Sequence, residues 1–134
     1  MSALSKIDPT VVSELRRISA RGAADLYTRL ADLFRTGCAD ALRDLRVCLE
    51  GSAFQAARAI CHRLKSSAAN VGALGFSRQV GQLERACVAG DIARAGQLLT
   101  SLQAAHASLL AELEEVCQQD FSETTVSSAV AARR

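Results

Sequence analysis

The sequence predicts an all-α fold: an antiparallel up-down-up-down four-helix bundle with a short extra helix at its N-terminus. Three observations carry this. Of the 134 residues, 49% are hydrophobic but only 4% aromatic, with no Trp and one Pro, so the apolar content is mostly Ala, Leu and Val, which favours close-packed helices. Apolar residues recur at alternating spacings of three and four, and no segment shows sustained period-two alternation. Between these stretches stand short stop-and-start pairs, Gly51-Ser52 and Gly90-Asp91, giving the two- to four-residue loops of neighbouring bundle helices.

The elements follow in order. Residues 1–7 read as a polar lead. Asp8-Pro9 is an N-cap followed by proline at the first helical position, and Val11, Val12, Leu15 and Ile18 carry a short lid helix to about Ala20, where Arg21-Gly22 stops it. A long helix from about Ala23 to Glu50 has the stripe Leu26, Leu30, Leu33 or Phe34, Gly37 or Cys38, Ala41, Leu45 and Cys48. Gly37 costs about 1 kcal/mol relative to Ala in a helix interior, and marks either a kink or a close crossing. Gly51-Ser52 ends this helix, with Ser52 placed to cap the next.

The third helix carries Phe54, Ala57, Cys61, Leu64, Ala68 and Val71 inward and closes near Gly72, whose missing Cβ suits a left-handed C′ position. The fourth, about Leu74 to Ala89, turns Phe76, Val80, Leu83 and Cys87 inward. The fifth, about Ile92 to Gln118, has the stripe Ile92, Ala95, Leu99, Leu102, Leu109, Leu113 and Val116. From Phe121 the periodicity is lost, so 119–134 is expected to be a flexible tail after a bundle domain spanning 8–118.

Composition excludes several function classes. The net charge of +2 gives no field for nucleic acid. No apolar run nears the ~20 residues that span a bilayer, and the start lacks a signal-peptide pattern, so no membrane contact is expected of this segment. The five cysteines are odd in number, unpaired as Cys-x-x-Cys and mostly on apolar faces; they read as reduced core residues of a cytoplasmic protein, with neither disulfides nor a metal site. No glycine-rich phosphate loop, clustered aspartates or Glu-x-x-His pair occurs, so no cofactor and no self-phosphorylation are expected.

The third helix holds the candidate chemistry. His62 lies about 100° round from Cys61, off the core stripe, beside Gln55, Arg58, Lys65, Ser66 and Ala69. A surface helix normally carries long side chains, yet Ser66, Ser67, Ala68, Ala69 and Asn70 are all short, as though something must come close. The other histidine, His106, falls on or beside the apolar stripe between Ala105 and Ala107 and reads as a partly buried packing residue.

The run His62-Arg63-Leu64-Lys65-Ser66-Ser67-Ala68-Ala69-Asn70-Val71-Gly72-Ala73 resembles the signature of histidine-containing phosphotransfer (HPt) domains, His-x-Leu-Lys-Gly-Ser followed by a Leu-Gly-Ala-like ending. Helix lengths, the Gly90-Asp91 turn and the Leu83-Glu84 pair extend the likeness over roughly Ile7 to Gln118. The resemblance implies a phosphorelay carrier: His62 takes the phosphoryl group from a receiver-domain aspartate and passes it on, or back. It also implies Lys65 beside the phosphoryl group and Glu84 against the histidine ring. Partners are then response-regulator receiver domains, met by a monomer, with the C-terminal domain of a hybrid sensor kinase as the preferred context over a free-standing carrier. Any metal used in transfer would come with the receiver.

The residues supply reasons for those roles. A nucleophilic imidazole must be neutral with one nitrogen free, and the cations Arg58, Arg63 and Lys65 disfavour the imidazolium. Glu84 would fix the tautomer through the other ring N–H. Lys65 at i+3 is in reach of His62, and Gly81, one turn before Glu84, leaves the groove between the helices shallow. The basic rim of Arg58, Arg63 and Lys65 suits an acidic receiver pocket, with Ser66, Ala69 and Gly81 on the approach surface. Each residue alone has an ordinary surface explanation; their joint placement round one histidine decides. Ser66 departs from the family pattern, which has Gly there, and its side chain intrudes on the docking approach. The rival function is a helical interaction module without phosphoryl chemistry.

Overall fold

The computed structural model describes residues 7–19 and 26–132, with side chains for 7–18 and 26–118. Five helices and no strand occur among the described residues: α1 Pro9–Ser19, α2 Leu26–Glu50, α3 Phe54–Asn70, α4 Leu74–Ala89 and α5 Ile92–Ala132. Residues 1–6 of the expected 1–7 lead, the Arg21-Gly22 stop and the start of α2 at Ala23 lie outside the described residues, while Ile7 packs partly buried against the core. No helix among them is long and apolar enough to cross a membrane.

Helices α2, α3, α4 and α5 close a ring of packing, α2 and α4 each touching both α3 and α5, while α1 lies on α2. The core inside that ring includes Phe34, Leu45, Leu64, Phe76, Leu83 and Leu99. Phe34 meets Phe76 edge to face, with centroids 6.2 Å apart and planes at 87°, linking α2 to α4.

Helix α1 starts as expected, with Asp8 Oδ1 accepting from the Thr10 N–H at 2.9 Å. Its stripe is shorter than expected: Val12 is buried and Leu15 partly so, but Ile18 is exposed. An 11-residue helix resting on one neighbour buries little more than a turn.

In α2 the buried residues are Tyr27, Ala31, Phe34, Cys38, Leu42 and Leu45. The expected Leu26, Leu30, Ala41 and Cys48 are therefore the half-buried edge of the stripe, and Leu33 is 70% exposed. Tyr27 sets this rotation, because burying its ring lets its hydroxyl donate to the Val71 carbonyl at 2.8 Å. Gly37 lies within a continuous helix and a Cβ there would meet nothing within 4 Å, so the close crossing is not found.

Helices α2, α3 and α4 all end in the same hydrogen-bond pattern, with the C″ N–H returning to C3 and the C′ N–H to C2. For α3 the bonds are Ala73 N–H to Ala68 O at 2.9 Å and Gly72 N–H to Ala69 O at 3.0 Å. For α4 they are Asp91 N–H to Ala86 O at 2.9 Å and Gly90 N–H to Cys87 O at 3.2 Å. Gly72 (φ 85) and Gly90 (φ 70) take the left-handed position, as glycine can without strain.

The end of α2 corrects the expectation for Ser52. Ala53 N–H bonds Cys48 O at 2.8 Å and Ser52 N–H bonds Leu49 O at 3.2 Å, which puts Ser52, not Gly51, at C′ with φ 56. It thus closes α2 rather than capping α3, whose N-cap is Ala53 without a side-chain hydrogen bond.

Helix α3 buries Ala57, Cys61, Leu64 and Ala68, followed by Val71, and α4 buries Phe76, Val80, Leu83 and Cys87, as the periodicity predicts. In α5 Ala95, Leu99, Leu102, Leu109 and Leu113 are buried, but Ile92 at its first turn is 58% exposed. The helix also runs on to Ala132 instead of ending near Gln118. Propagation adds one backbone bond for each residue fixed and needs no apolar stripe, so the lost periodicity does not mark a helix end.

Candidate functional site

The pairing of α3 with α4 assembles the site. Ser77, buried on α4, donates its hydroxyl to the Lys65 carbonyl at 2.8 Å and so fixes the two helices against each other. One turn further along α4, Gly81 faces Lys65: a Cβ there would stand 3.4 Å from Lys65 Cδ. The lysine stem passes over this gap and its ammonium reaches Glu84, Nζ to Oε1 at 2.9 Å.

The other carboxylate oxygen meets the histidine. His62 Nδ1 lies 3.6 Å from Glu84 Oε2, with the His62 side chain 71% exposed and that of Glu84 only 16%. This spacing is an electrostatic contact a few tenths of an ångström beyond hydrogen-bond length. It turns the Nδ1 edge of the ring toward α4 and leaves Nε2 on the opposite edge.

Glu84 is held below its ordinary carboxylate value, first by the Lys65 hydrogen bond and further by the charges of Lys65, His62 and Arg58, against an opposing effect of burial. At neutral pH it is therefore a carboxylate, able to hold a ring N–H and to stabilise positive charge on the imidazole.

The structure divides the expected rim. Arg58 and Ser66 are exposed on the turns either side of His62, and Ala69 is half-buried. Lys65 is neutralised by Glu84 rather than projecting alone. Arg63 is not part of the His62–Glu84 cluster; it lines a separate groove between α2 and α3 with Leu33, Gly37, Asp40, Ile60 and Ser67. Ser77 was not anticipated as a site residue. Its only signal was a hydroxyl at an inward register of α4, between Phe76 and Val80.

His106 is half-buried, its Nε2 is shielded from solvent, and burial lowers its pKa. No group of three or more metal-ligating side chains occurs among the described residues.

A family model described as Hpt domain matches residues 29–120, from the first turn of α2 into α5. This chain belongs to the Hpt domain family. Membership implies phosphotransfer in two-component signalling, and Hpt domains act with receiver domains. The match begins within α2, so the Hpt assignment rests on α2 to α5 and leaves α1 outside it. No curated protein and no solved structure gives a significant match to this Hpt domain.

Proposed function

We propose that this Hpt domain is a phosphorelay carrier that accepts a phosphoryl group on His62 from a receiver-domain aspartate and passes it to another receiver, or back. The observation that carries the reading is the exposed His62 ring, with its Nδ1 edge on a carboxylate that Lys65 keeps ionised.

The step balances as a transfer between two nucleophiles. Glu84 favours the tautomer with the proton on Nδ1, so the lone pair is on Nε2. Nε2 attacks phosphorus, the N–P bond forms, and the P–O bond of the aspartyl phosphate breaks with its electron pair returning to the aspartate. The Nδ1 proton stays in place, and the positive charge developing on the ring is stabilised by the Glu84 carboxylate. Reversal with a second aspartate discharges the carrier.

In this reading the four long helices form the antiparallel up-down-up-down bundle within the relay unit 8–118, supported by the short connectors and the ring of packing. The receiver meets Arg58, Ser66 and Ala69 around the ring and Arg63 at the adjoining α2–α3 groove, while Gly81, buried beneath the Lys65 stem, shapes this surface from below. The carrier acts as a cytoplasmic, monomeric domain of a hybrid sensor kinase.

The test is incubation with a phosphorylated receiver domain. Acid-labile, base-stable label on this chain, lost in His62→Gln, is the expected result. A folded chain that never acquires label, or label retained in that variant, overturns the reading in favour of an interaction module without phosphoryl chemistry.

A further inference from the structure

A phosphoryl group on His62 Nε2 needs a cation, and the residue that the motif offers is already engaged. On α3 the positions one turn from His62 are Arg58 and Ala59 before it and Lys65 and Ser66 after it. Lys65 is committed to Glu84 at 2.9 Å, on the side of the ring that bears Nδ1. Moving it to Nε2 would leave a mostly buried carboxylate without its partner, at a cost set by the charge left behind.

Arg58 is in the opposite situation. It is exposed and makes no hydrogen bond or ion pair with a described residue, but lies near enough for its charge to act on Glu84. Arg58 is four residues before His62 on the same exposed face of α3, so the two side chains rise from neighbouring points of one helix surface. A guanidinium also matches the oxygens of a phosphoryl group in bidentate fashion. The remaining cation nearby is Arg85 on α4. Its Nη1 lies 3.9 Å from where a Cβ on Gly81 would stand, a turn away from Glu84 along α4.

Resting on the carrier reading above, we propose that Arg58 is the cation that holds the phosphoryl group on His62 Nε2, while Lys65 remains with Glu84. Lys65 then serves as a positioning residue, acting on the imidazole through Glu84.

Phosphoramidate tests this without any partner protein. Its P–N bond breaks, the Nε2–P bond forms, and ammonia leaves with the electron pair of the broken bond. The phosphorus resonance of the labelled full chain is then followed against pH in the wild type and in Arg58→Gln, Arg58→Lys, Lys65→Gln and Arg85→Gln. A cation against the phosphoryl group lowers its titration midpoint, so Arg58→Gln should raise it by roughly half a unit. Arg58→Lys should restore most of the shift, and the Lys65 and Arg85 variants should move it less. An effect of Arg58→Gln no larger than that of Lys65→Gln or Arg85→Gln overturns the proposal. Because the label is placed chemically, that outcome is distinct from failure of the relay itself, which the phosphorylated receiver reads.

Discussion

Glu84 stands between two side chains of α3, with Oε1 2.9 Å from Lys65 Nζ and Oε2 3.6 Å from His62 Nδ1. One carboxylate thus joins the lysine of α3 to the histidine one turn before it, and the imidazole is oriented from α4 rather than from its own helix.

Acid should undo this arrangement first. The Lys65 contact holds Glu84 below its ordinary value of 4.5, so the unfolded chain takes up that proton more readily than the folded one. The stabilisation is fully present above pH 4.5 and is lost as pH falls through the lower folded value. Glu84→Gln should therefore flatten the decline in stability seen by urea unfolding from about pH 7 to about pH 3. An acid limb of unchanged slope in the variant would remove Glu84 as its source.

Exposure separates the histidine from the core beside it. His62→Gln, at a side chain 71% exposed, should leave stability within about 0.5 kcal/mol of wild type. Leu64→Ala, two residues on and 4% exposed, should cost about 2–5 kcal/mol. Paired denaturation curves check both, and a destabilised His62→Gln would show that the ring supports the fold.

Ser52 is the non-glycine residue at positive φ among those described, and it occupies the position that Gly72 and Gly90 fill elsewhere. Ser52→Gly should raise stability by about 1 kcal/mol, the strain relieved less the chain entropy that glycine adds. A lowered melting temperature would mean that the serine side chain contributes at this turn.

Thiol reactivity should follow burial. The Cys38 and Cys61 thiols are pushed up to about 12, and Cys87 is raised as well, in each case chiefly by desolvation. Cys48 and Cys117 are only half-buried. Iodoacetamide on the native chain at about pH 8 should modify Cys48 and Cys117 and spare the other three until denaturant is added. Peptide mass spectrometry reads this directly, and fast native modification of Cys61 would show that α3 and α4 separate.

Helix number and inward faces were legible because apolar residues at three- and four-residue spacing leave few alternatives, as in α3 and α4. Gly72 and Gly90 were legible as left-handed stops for the same reason that glycine is tolerated there. The details lost were those set by tertiary contact. Whether Leu26 or Tyr27 faces inward depends on a carbonyl 44 residues away, which spacing along one helix does not encode. Gly51-Ser52 reads as a glycine stop, although the hydrogen bonds place the serine at C′. At the site, the turn spacing of His62 and Lys65 was visible in the sequence, whereas Glu84 as a ring partner came only from the resemblance to Hpt domains. That Glu84 also takes Lys65 was not visible, since it depends on the register of α3 against α4 set by Ser77 and Gly81.

The turn after α3 has a consequence of its own. Val71 O accepts from the Tyr27 hydroxyl and Gly72 O from the Asp8 N–H at 2.8 Å, so the helix bearing His62 is bolted at its end to α2 and to the chain entering α1. A rotation or slide of α3 would have to break both bolts. The aim of the imidazole is thereby set at a distance from the surface that a partner touches. Substitutions at the exposed Arg58, Arg63 or Ser66 should then leave the bearing of His62 where the bolts hold it.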